Sequence, residues 1–141
     1  MKRTLIPQVV IGFVMLLYAY SAAAQSTPYT PESPVVNSAQ MPLYPVLARQ
    51  ARIEGTAEVK VTTDGTSITK ITASGAHKIL LDASEDNVRT WKLYRHKTQT
   101  FTVTFVYKLE SPEVYGFVNP TVLLELPTRV EVRTKMPMAM P

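Results

Sequence analysis

Residues 55–75 read GTAEVKVTTDGTSITKITASG and determine the centre of the fold. Before Asp64, small or apolar residues alternate with polar ones, which is the period of a strand that is buried on one face. The dipeptide Asp64-Gly65 is a strong signal for a β-hairpin turn. A returning strand is predicted over residues 67–73, where the three-residue spacing of Ile68 and Ile71 indicates a β-bulge.

Helical and strand-like segments flank this hairpin. Pro45 begins a predicted short helix over residues 45–52, because proline is favoured at the first helical position. A longer helix is predicted over residues 79–93. Its stripe toward the sheet consists of Leu81, Ser84, Val88 and Trp91. Residues 101–109 alternate in polarity and form the clearest strand in the chain. We expect Trp91 to pack in the core, and an aromatic anchor for a partner is the alternative.

An ordered set of short motifs runs through these elements. It consists of Tyr44-Pro45, Ala48-Arg49, Ile53-Glu54-Gly55, Asp64-Gly65, Ser74-Gly75, Leu81-Asp82 and Trp91. The set resembles the C-terminal domain of TonB, the periplasmic energy transducer of Gram-negative envelopes, over residues 41–110. The resemblance implies an α+β fold in which a small twisted antiparallel sheet of three core strands packs one face against one main helix. We place this domain at residues 44–110.

The resemblance also implies a function in protein interaction. Family domains engage TonB-dependent outer-membrane transporters by adding an extended transporter segment to a sheet edge, so we expect such a transporter as the partner and neither a cofactor nor a reaction. Strand addition satisfies the main-chain groups of the edge. The resemblance assigns partner binding to Gln40, Met41, Pro42 and Tyr44 before the first helix, and to Phe101, Thr102, Val103, Thr104, Phe105, Val106 and Tyr107 in the long strand.

Both assignments leave an alternative open. Met41 stands where the family has a glutamine that meets the receptor, with Gln40 one position earlier. This segment is therefore either a receptor contact or a linker that Tyr44 pins to the core. The strand over residues 101–109 is either an open edge or a strand paired on both sides. An open edge would also allow a homodimer.

The N-terminus has the pattern of an export signal. Lys2 and Arg3 precede an apolar run over residues 9–20, and residues 22–24 are alanines that suit a cleavage site. We predict a signal peptide at residues 1–24, a Pro-rich linker at residues 25–43, and a periplasmic location. An uncleaved signal would anchor the chain in the inner membrane and make the ExbB–ExbD motor a further partner. A cleaved chain would be a soluble adaptor or regulator without energy transduction.

Composition argues against several other classes. Without Lys2 and Arg3, the formal net charge falls from +4 to +2, so nucleic-acid binding has little support. Cysteine is absent, which excludes disulfides and thiolate metal sites. His77 and His96 lack further ligands at metal-binding spacing, and we expect them to be structural or solvated. No catalytic motif occurs, so an enzyme or a secreted ligand-binding protein is the least favoured class.

Residues 111–141 extend beyond the resemblance. Two short strands are predicted at residues 122–126 and 130–133, separated by Pro127-Thr128, and a loose tail at residues 136–141. In one arrangement this extension pairs with the strand over residues 101–109 and closes its edge. In the other it forms a separate hairpin and leaves the edge open. We favour the closed edge, because a long exposed edge strand promotes aggregation.

Overall fold

The computed structural model of the protein describes residues 29–111 and 120–138. The predicted signal peptide at residues 1–24 and the first residues of the predicted linker lie outside the described residues. Within the described part, no helix combines the length and the apolar composition that crossing a membrane requires. The elements in chain order are β1 (Val36–Ser38), α1 (Val46–Gln50), β2 (Gly55–Thr63), β3 (Ile68–Ser74), α2 (Lys78–Arg89), β4 (Lys92–Leu93), β5 (Gln99–Glu110), β6 (Thr121–Glu125) and β7 (Arg129–Lys135).

Five of the strands form one sheet in the order β3-β2-β5-β7-β6, and β1 pairs with β4 in a separate two-stranded sheet. The α+β class is therefore confirmed, and β3, β2 and β5 are antiparallel neighbours as expected. The complete sheet is mixed rather than antiparallel, because β7 runs parallel to β5. The chain leaves β5, returns along β6 as the outermost strand, and then fills the position between them with β7.

The β2–β3 hairpin forms where the alternating pattern predicted it. In its turn, the Asp64 carboxylate accepts two main-chain hydrogen bonds, at 2.8 and 3.0 Å. Gly65 has a φ of 102°, and a Cβ there would lie 2.8 Å from the carbonyl oxygen of His96, so glycine is required at this position. The pairing register shifts between Thr62 and Thr63, which confirms the predicted bulge.

The hydrophobic core lies between α2 and one face of the sheet, which we call the helix face. Paired residues lie on the same face, so apolar side chains form rows across the strands, as with Val59 opposite Val103. The buried apolar residues of β2, β5 and β7 on this face are Ala57, Val59, Val61, Val103, Phe105, Tyr107, Leu109, Val130 and Val132. The opposite face, here called the open face, is largely polar, and neither of the two described helices packs on it.

Helix α2 is shorter than predicted and differs slightly in phase. It ends at Arg89, four residues before the predicted end, because the chain then enters β4 and pairs with β1. Ser84 and Val88 are buried as predicted. Leu80 occupies the buried position that the sequence assigned to Leu81, which is only partly buried.

Trp91 follows α2 directly and packs in the core. Its side chain is 5% exposed, and its ring centroid lies 6.4 Å from that of Phe105. The indole N–H donates a hydrogen bond to Oδ1 of Asn87 at 3.0 Å. The predicted core position is confirmed, and a surface anchor at this residue is excluded because the ring is covered.

Part of the predicted linker belongs to the folded domain. The sequence predicted no strand in residues 25–43, yet β1 lies there and pairs antiparallel with β4. The Val35 carbonyl also accepts a hydrogen bond from the Tyr94 N–H at 2.9 Å. Val36 packs against the core, and burial of such an apolar residue explains why this segment docks in spite of its Pro-rich surroundings.

Candidate functional site

The first group of predicted partner-binding residues lies in residues 40–45, which we call the proline segment. The main-chain N–H of Gln40 donates a hydrogen bond to Oγ1 of Thr90 at 3.1 Å. The carbonyl of Gln40 accepts one from Nδ2 of Asn87 at 2.9 Å. Both partners lie at the C-terminal end of α2, so the main chain of the segment is fixed against that helix.

Side chains of the proline segment point alternately outward and inward. Met41 and Leu43 are exposed, whereas Pro42 and Tyr44 are buried. Met41 and Leu43 line one side of a shallow groove of about 300 Å³, and Ala83 of α2 lies among the residues on the other side. The segment therefore offers a small apolar surface while its inward residues hold it in place.

Tyr44 attaches the proline segment to the core. Its hydroxyl donates a hydrogen bond to the carbonyl of Ile53 at 2.5 Å, and its ring stands edge-on to Tyr107 with centroids 5.5 Å apart. Burial, followed by the nearby charge of Glu54, raises the pKa of Tyr44 to about 12. The structure thus has the pinned arrangement, in which Tyr44 is a core residue and Met41 is the accessible one.

The second group of predicted residues lies in β5 and divides between the two faces of the sheet. On the helix face, Val103, Phe105 and Tyr107 are buried and Phe101 is partly buried; on the open face, Val106 is buried, Thr104 is partly buried and Thr102 is exposed. Most of these side chains are therefore core residues. Within the predicted sites, the structure brings Tyr44 and Tyr107 together, whereas Gln40 and Met41 lie beside α2.

The main-chain edge of β5 is closed along most of its length. One side pairs with β2, and the other side pairs with β7 from Thr104 to Glu110. Of the two arrangements left open by the sequence, the structure has the closed one, which the sequence favoured. The parallel orientation of β7 was not predicted. Among the described residues, no strand pairs with the outer side of residues 99–103.

Strand β7 is packed too well to be displaced easily from the edge of β5. Val130 and Val132 are fully buried on the helix face. Burial of one valine contributes about 1.5–3 kcal/mol, whereas a typical domain has a total stability of about 5–15 kcal/mol. Displacing β7 would therefore sacrifice a large part of the folding free energy, and we conclude that β7 is a permanent part of the sheet.

On the open face, β7 carries a compact ion-pair network around Glu131. The carboxylate is almost fully buried and accepts hydrogen bonds from Arg129 at 2.9 Å and from Nε of Arg133. Lys108 of β5 lies 3.6 Å away. Hydrogen bonds from Arg129 and Arg133 lower the pKa of Glu131 to about 2, against the opposing effect of its burial. The network links β7 to β5 through side chains as well as through the main chain.

Elsewhere in the sheet, carboxylates accept hydrogen bonds from main-chain N–H groups that have no partner in the described strands. Oε1 of Glu85, in α2, accepts a hydrogen bond at 3.0 Å from the N–H of Ala73 in the edge strand β3. Oε1 of Glu54 accepts one at 2.5 Å from the N–H of Leu109, opposite the point where β2 begins. Glu54 is exposed, and nothing in the sequence indicated this hydrogen bond, because no local pattern reveals a contact between residues so far apart in the chain.

Among the described residues, no carboxylate caps the outer edge of β6. Leu123 is 51% exposed on the open face, and Leu124 is 44% exposed on the helix face. Within the described residues, no strand pairs with the outer side of β6. The strand contains no proline, lysine or bulge, which are three of the features that blunt an edge, but it is short and ends in the charged Glu125. Sequence reasoning found the strand but missed its position at the edge, since that position depends on how distant strands are ordered.

Both histidines have structural partners. Nδ1 of His77 accepts a hydrogen bond from the N–H of Ile79 at 3.3 Å and caps α2. Nδ1 of the buried His96 lies 2.7 Å from the Tyr94 carbonyl, so it carries the proton, and Nε2 lies 2.6 Å from Oγ1 of Thr63. In the part of the chain that the structure describes, no group of three or more His, Cys, Asp or Glu side chains is placed to hold a metal ion.

No protein-family model, curated protein or solved structure matches this chain. The resemblance to the TonB C-terminal domain therefore rests on the motif residues between Tyr44 and Trp91. The fold and its edges supply the remaining basis for a functional proposal.

Proposed function

We propose that the protein is a periplasmic protein-interaction domain of the TonB C-terminal type. It binds an extended segment of a TonB-dependent outer-membrane transporter by strand addition at the outer edge of β6. The observation that carries the proposal is a contrast. Within the described residues, the outer edge of β6 has no strand partner and is flanked by exposed leucines, whereas carboxylates cap the N–H groups of Ala73 and Leu109. The three antiparallel core strands and the helix over them agree with the resemblance.

The position of β7 moves the expected binding edge two strands outward from β5. Within the described part of the chain, residues 99–103 also lack a strand on their outer side, but a peptide there would lie in line with β7. Its length would be limited at Thr104, whose N–H bonds to the carbonyl of Thr128 at 2.9 Å. A peptide along β6 meets no such obstacle within residues 121–125. It could also place apolar side chains beside Leu123 on one face and Leu124 on the other.

The proline segment supplies a second, side-chain contact in this proposal. Met41 and Leu43 are exposed at the groove beside α2, and Val46 and Leu47 of α1 continue the exposed apolar surface. Exposed clusters of large apolar residues of this kind are typical of protein-interaction sites. The main-chain hydrogen bonds of Gln40 keep the surface fixed before a partner arrives, which reduces the entropy lost on binding.

The same domain serves either an energy transducer or a soluble adaptor or regulator. Energy transduction requires retention in the inner membrane and contact with the ExbB–ExbD motor, whereas an adaptor requires only the domain and its edge. Intact-mass analysis of the protein from fractionated envelopes separates the two. A periplasmic chain that begins at Gln25 supports the adaptor, and a full-length chain in the inner-membrane fraction supports the transducer.

Peptide binding tests the proposed edge. The probe is a synthetic peptide that covers the extended N-terminal segment of a TonB-dependent transporter, titrated into isotopically labelled protein. We expect the amide resonances of β6 to shift and those of β3 to stay unchanged. Two further peptides carry N-methyl groups at alternate residues, in opposite phase. In strand addition only one of the two loses affinity, because successive N–H groups point to opposite sides of a strand.

Control variants separate edge pairing from charge effects. Leu123→Lys should weaken binding of the peptide, whereas Thr72→Lys places the same charge on the opposite edge strand and should leave binding unchanged. Equal binding of both N-methylated peptides, or resonance shifts confined to the proline segment, would show that strand addition at β6 is not the mode of interaction.

A further inference from the structure

Strand β6 is complementary to itself. We infer that it pairs with β6 of a second copy of this chain, so that the two five-stranded sheets join into one continuous sheet. The inference concerns the edge used in the proposed function, but it rests on the residues of β6 and its neighbours alone. It therefore stands whether or not a transporter segment binds there.

The pairing register follows from the faces of the strand. In an antiparallel pair about a two-fold axis at Leu123, Val122 lies opposite Leu124 of the second copy, and Thr121 lies opposite Glu125. This register uses all five residues of β6. It also keeps every side chain on the face that it occupies in one chain, whereas a shift by one residue would exchange the faces.

On the helix face, this register continues the apolar rows of the core. Within one chain, Phe105 lies opposite Val130, and Val130 lies opposite Leu124. Across the axis, Leu124 meets Val122 of the second copy, whose own neighbour on β7 is Val132. In the dimer, Leu124 therefore lies between Val130 of its own chain and Val122 of the second copy, which covers its exposed part.

On the open face, the same register brings opposite charges together. Thr121 pairs with Arg133 on β7, and in the dimer Glu125 of the second copy lies beyond Thr121. Neighbouring strands are about 4.8 Å apart, and Glu125 of the second copy lies two strands away from Arg133. Both side chains are long, so their charged groups come within reach of each other. Leu123 meets its own symmetry mate at the axis. No two like charges lie directly opposite each other, which would destabilise the pair.

The interface is small, because each copy contributes one five-residue strand and its side chains. Stable specific interfaces usually bury about 1,600 Å² in total, so we expect a reversible dimer that dissociates on dilution. A transporter segment and a second copy would compete for the edge, since each satisfies the same main-chain groups.

Sedimentation velocity of the purified full-length protein tests the inference. The sedimentation coefficient should rise with concentration from the value of a monomer to that of a dimer. Leu123→Lys should abolish the rise, because two ammonium groups would meet at the axis. Thr72→Lys places the same charge on β3, at the opposite edge of the sheet, and should self-associate like the unchanged protein.

Disulfide trapping identifies the register. The chain has no cysteine, so Leu123→Cys provides a single thiol that lies at the axis in the dimer. Under mild oxidation this variant should form a covalent dimer, whereas Leu47→Cys and Thr72→Cys should remain largely monomeric. A sedimentation coefficient that is constant at all concentrations would overturn the inference. So would self-association of Leu123→Lys at the level of the unchanged protein.

Discussion

The two edges of the five-stranded sheet differ in how far their main-chain groups are protected from pairing with another chain. At β3, helix α2 packs alongside and the Glu85 carboxylate caps the Ala73 N–H. At β6, Leu123 and Leu124 are exposed, and the outer side has no strand partner within the described residues. A capped edge resists pairing with another chain, whereas an uncapped edge promotes it. The contrast is the reason that we propose association at β6 and not at β3.

Trp91→Ala should have the largest effect on stability, because Trp91 belongs to the core beneath α2. The indole is 5% exposed and packs on Phe105. Replacing a buried tryptophan by alanine costs about 3–5 kcal/mol, which is a large fraction of a typical domain stability of about 5–15 kcal/mol. Denaturant unfolding measures the loss.

Leu123→Ala is the matched control on the other side of the sheet. At dilution, where the monomer dominates, it should change the free energy of unfolding by no more than about 0.5 kcal/mol, as is usual at the surface. A loss for Trp91→Ala below about 1 kcal/mol would contradict the core position of Trp91.

The parts of the fold that were predictable from sequence are those set by neighbouring residues. The β2–β3 hairpin follows from alternation and from Asp64-Gly65, and β6 and β7 follow from short apolar runs around Pro127. The helix stripe was placed one residue away at its start, at Leu81 instead of Leu80, because the two positions differ by only 100° around the helix.

The parts that were not predictable depend on contacts between distant residues. The insertion of β7 beside β5, the pairing of β1 with β4, and the cap from Glu54 to Leu109 all join segments whose spacing follows no local rule. The candidate site shows the same limit. Tyr44 was correctly considered as a core anchor, but the available edge is β6 rather than β5, since strand order decides which strand is outermost.

Glu131→Gln should alter the acid dependence of stability and thereby test how firmly β7 is held. The folded-state pKa of about 2 lies below the ordinary value of 4.5, so the ionised carboxylate stabilises the fold fully above pH 4.5. This contribution is lost as the pH falls from 4.5 toward 2. The unchanged protein should therefore lose stability more steeply over that range than the variant.

The measurement for Glu131 is the free energy of unfolding of both proteins at several pH values. The difference between them should be largest near neutral pH and should shrink toward pH 2. A difference that stays constant with pH would mean that the Arg129 and Arg133 contacts contribute little to retaining β7.

Glu85→Ala should produce a smaller loss of stability, and it should also open the β3 edge. The variant removes the acceptor of the Ala73 N–H and the ion pair with Arg89 at 3.3 Å. We expect a cost of about 1 kcal/mol. Glu85→Gln retains an acceptor and should cost less. Combined with Leu123→Lys, Glu85→Ala should restore some self-association, now through β3, whereas the pair of Glu85→Gln and Leu123→Lys should remain monomeric in sedimentation.

The smallest expected effect concerns single amides and compares the two edges directly. In the monomeric Leu123→Lys variant, the Ala73 amide should exchange with solvent slowly, because it is bonded to Glu85. The outward amides of β6 should exchange fast, since an unpaired strand leaves them in water. In the unchanged protein, raising the concentration should slow exchange in β6 and leave Ala73 as it was, because only one edge acquires a partner. If the β6 amides are protected at every dilution, something within the chain already covers that edge. Neither strand addition nor the dimer could then use it.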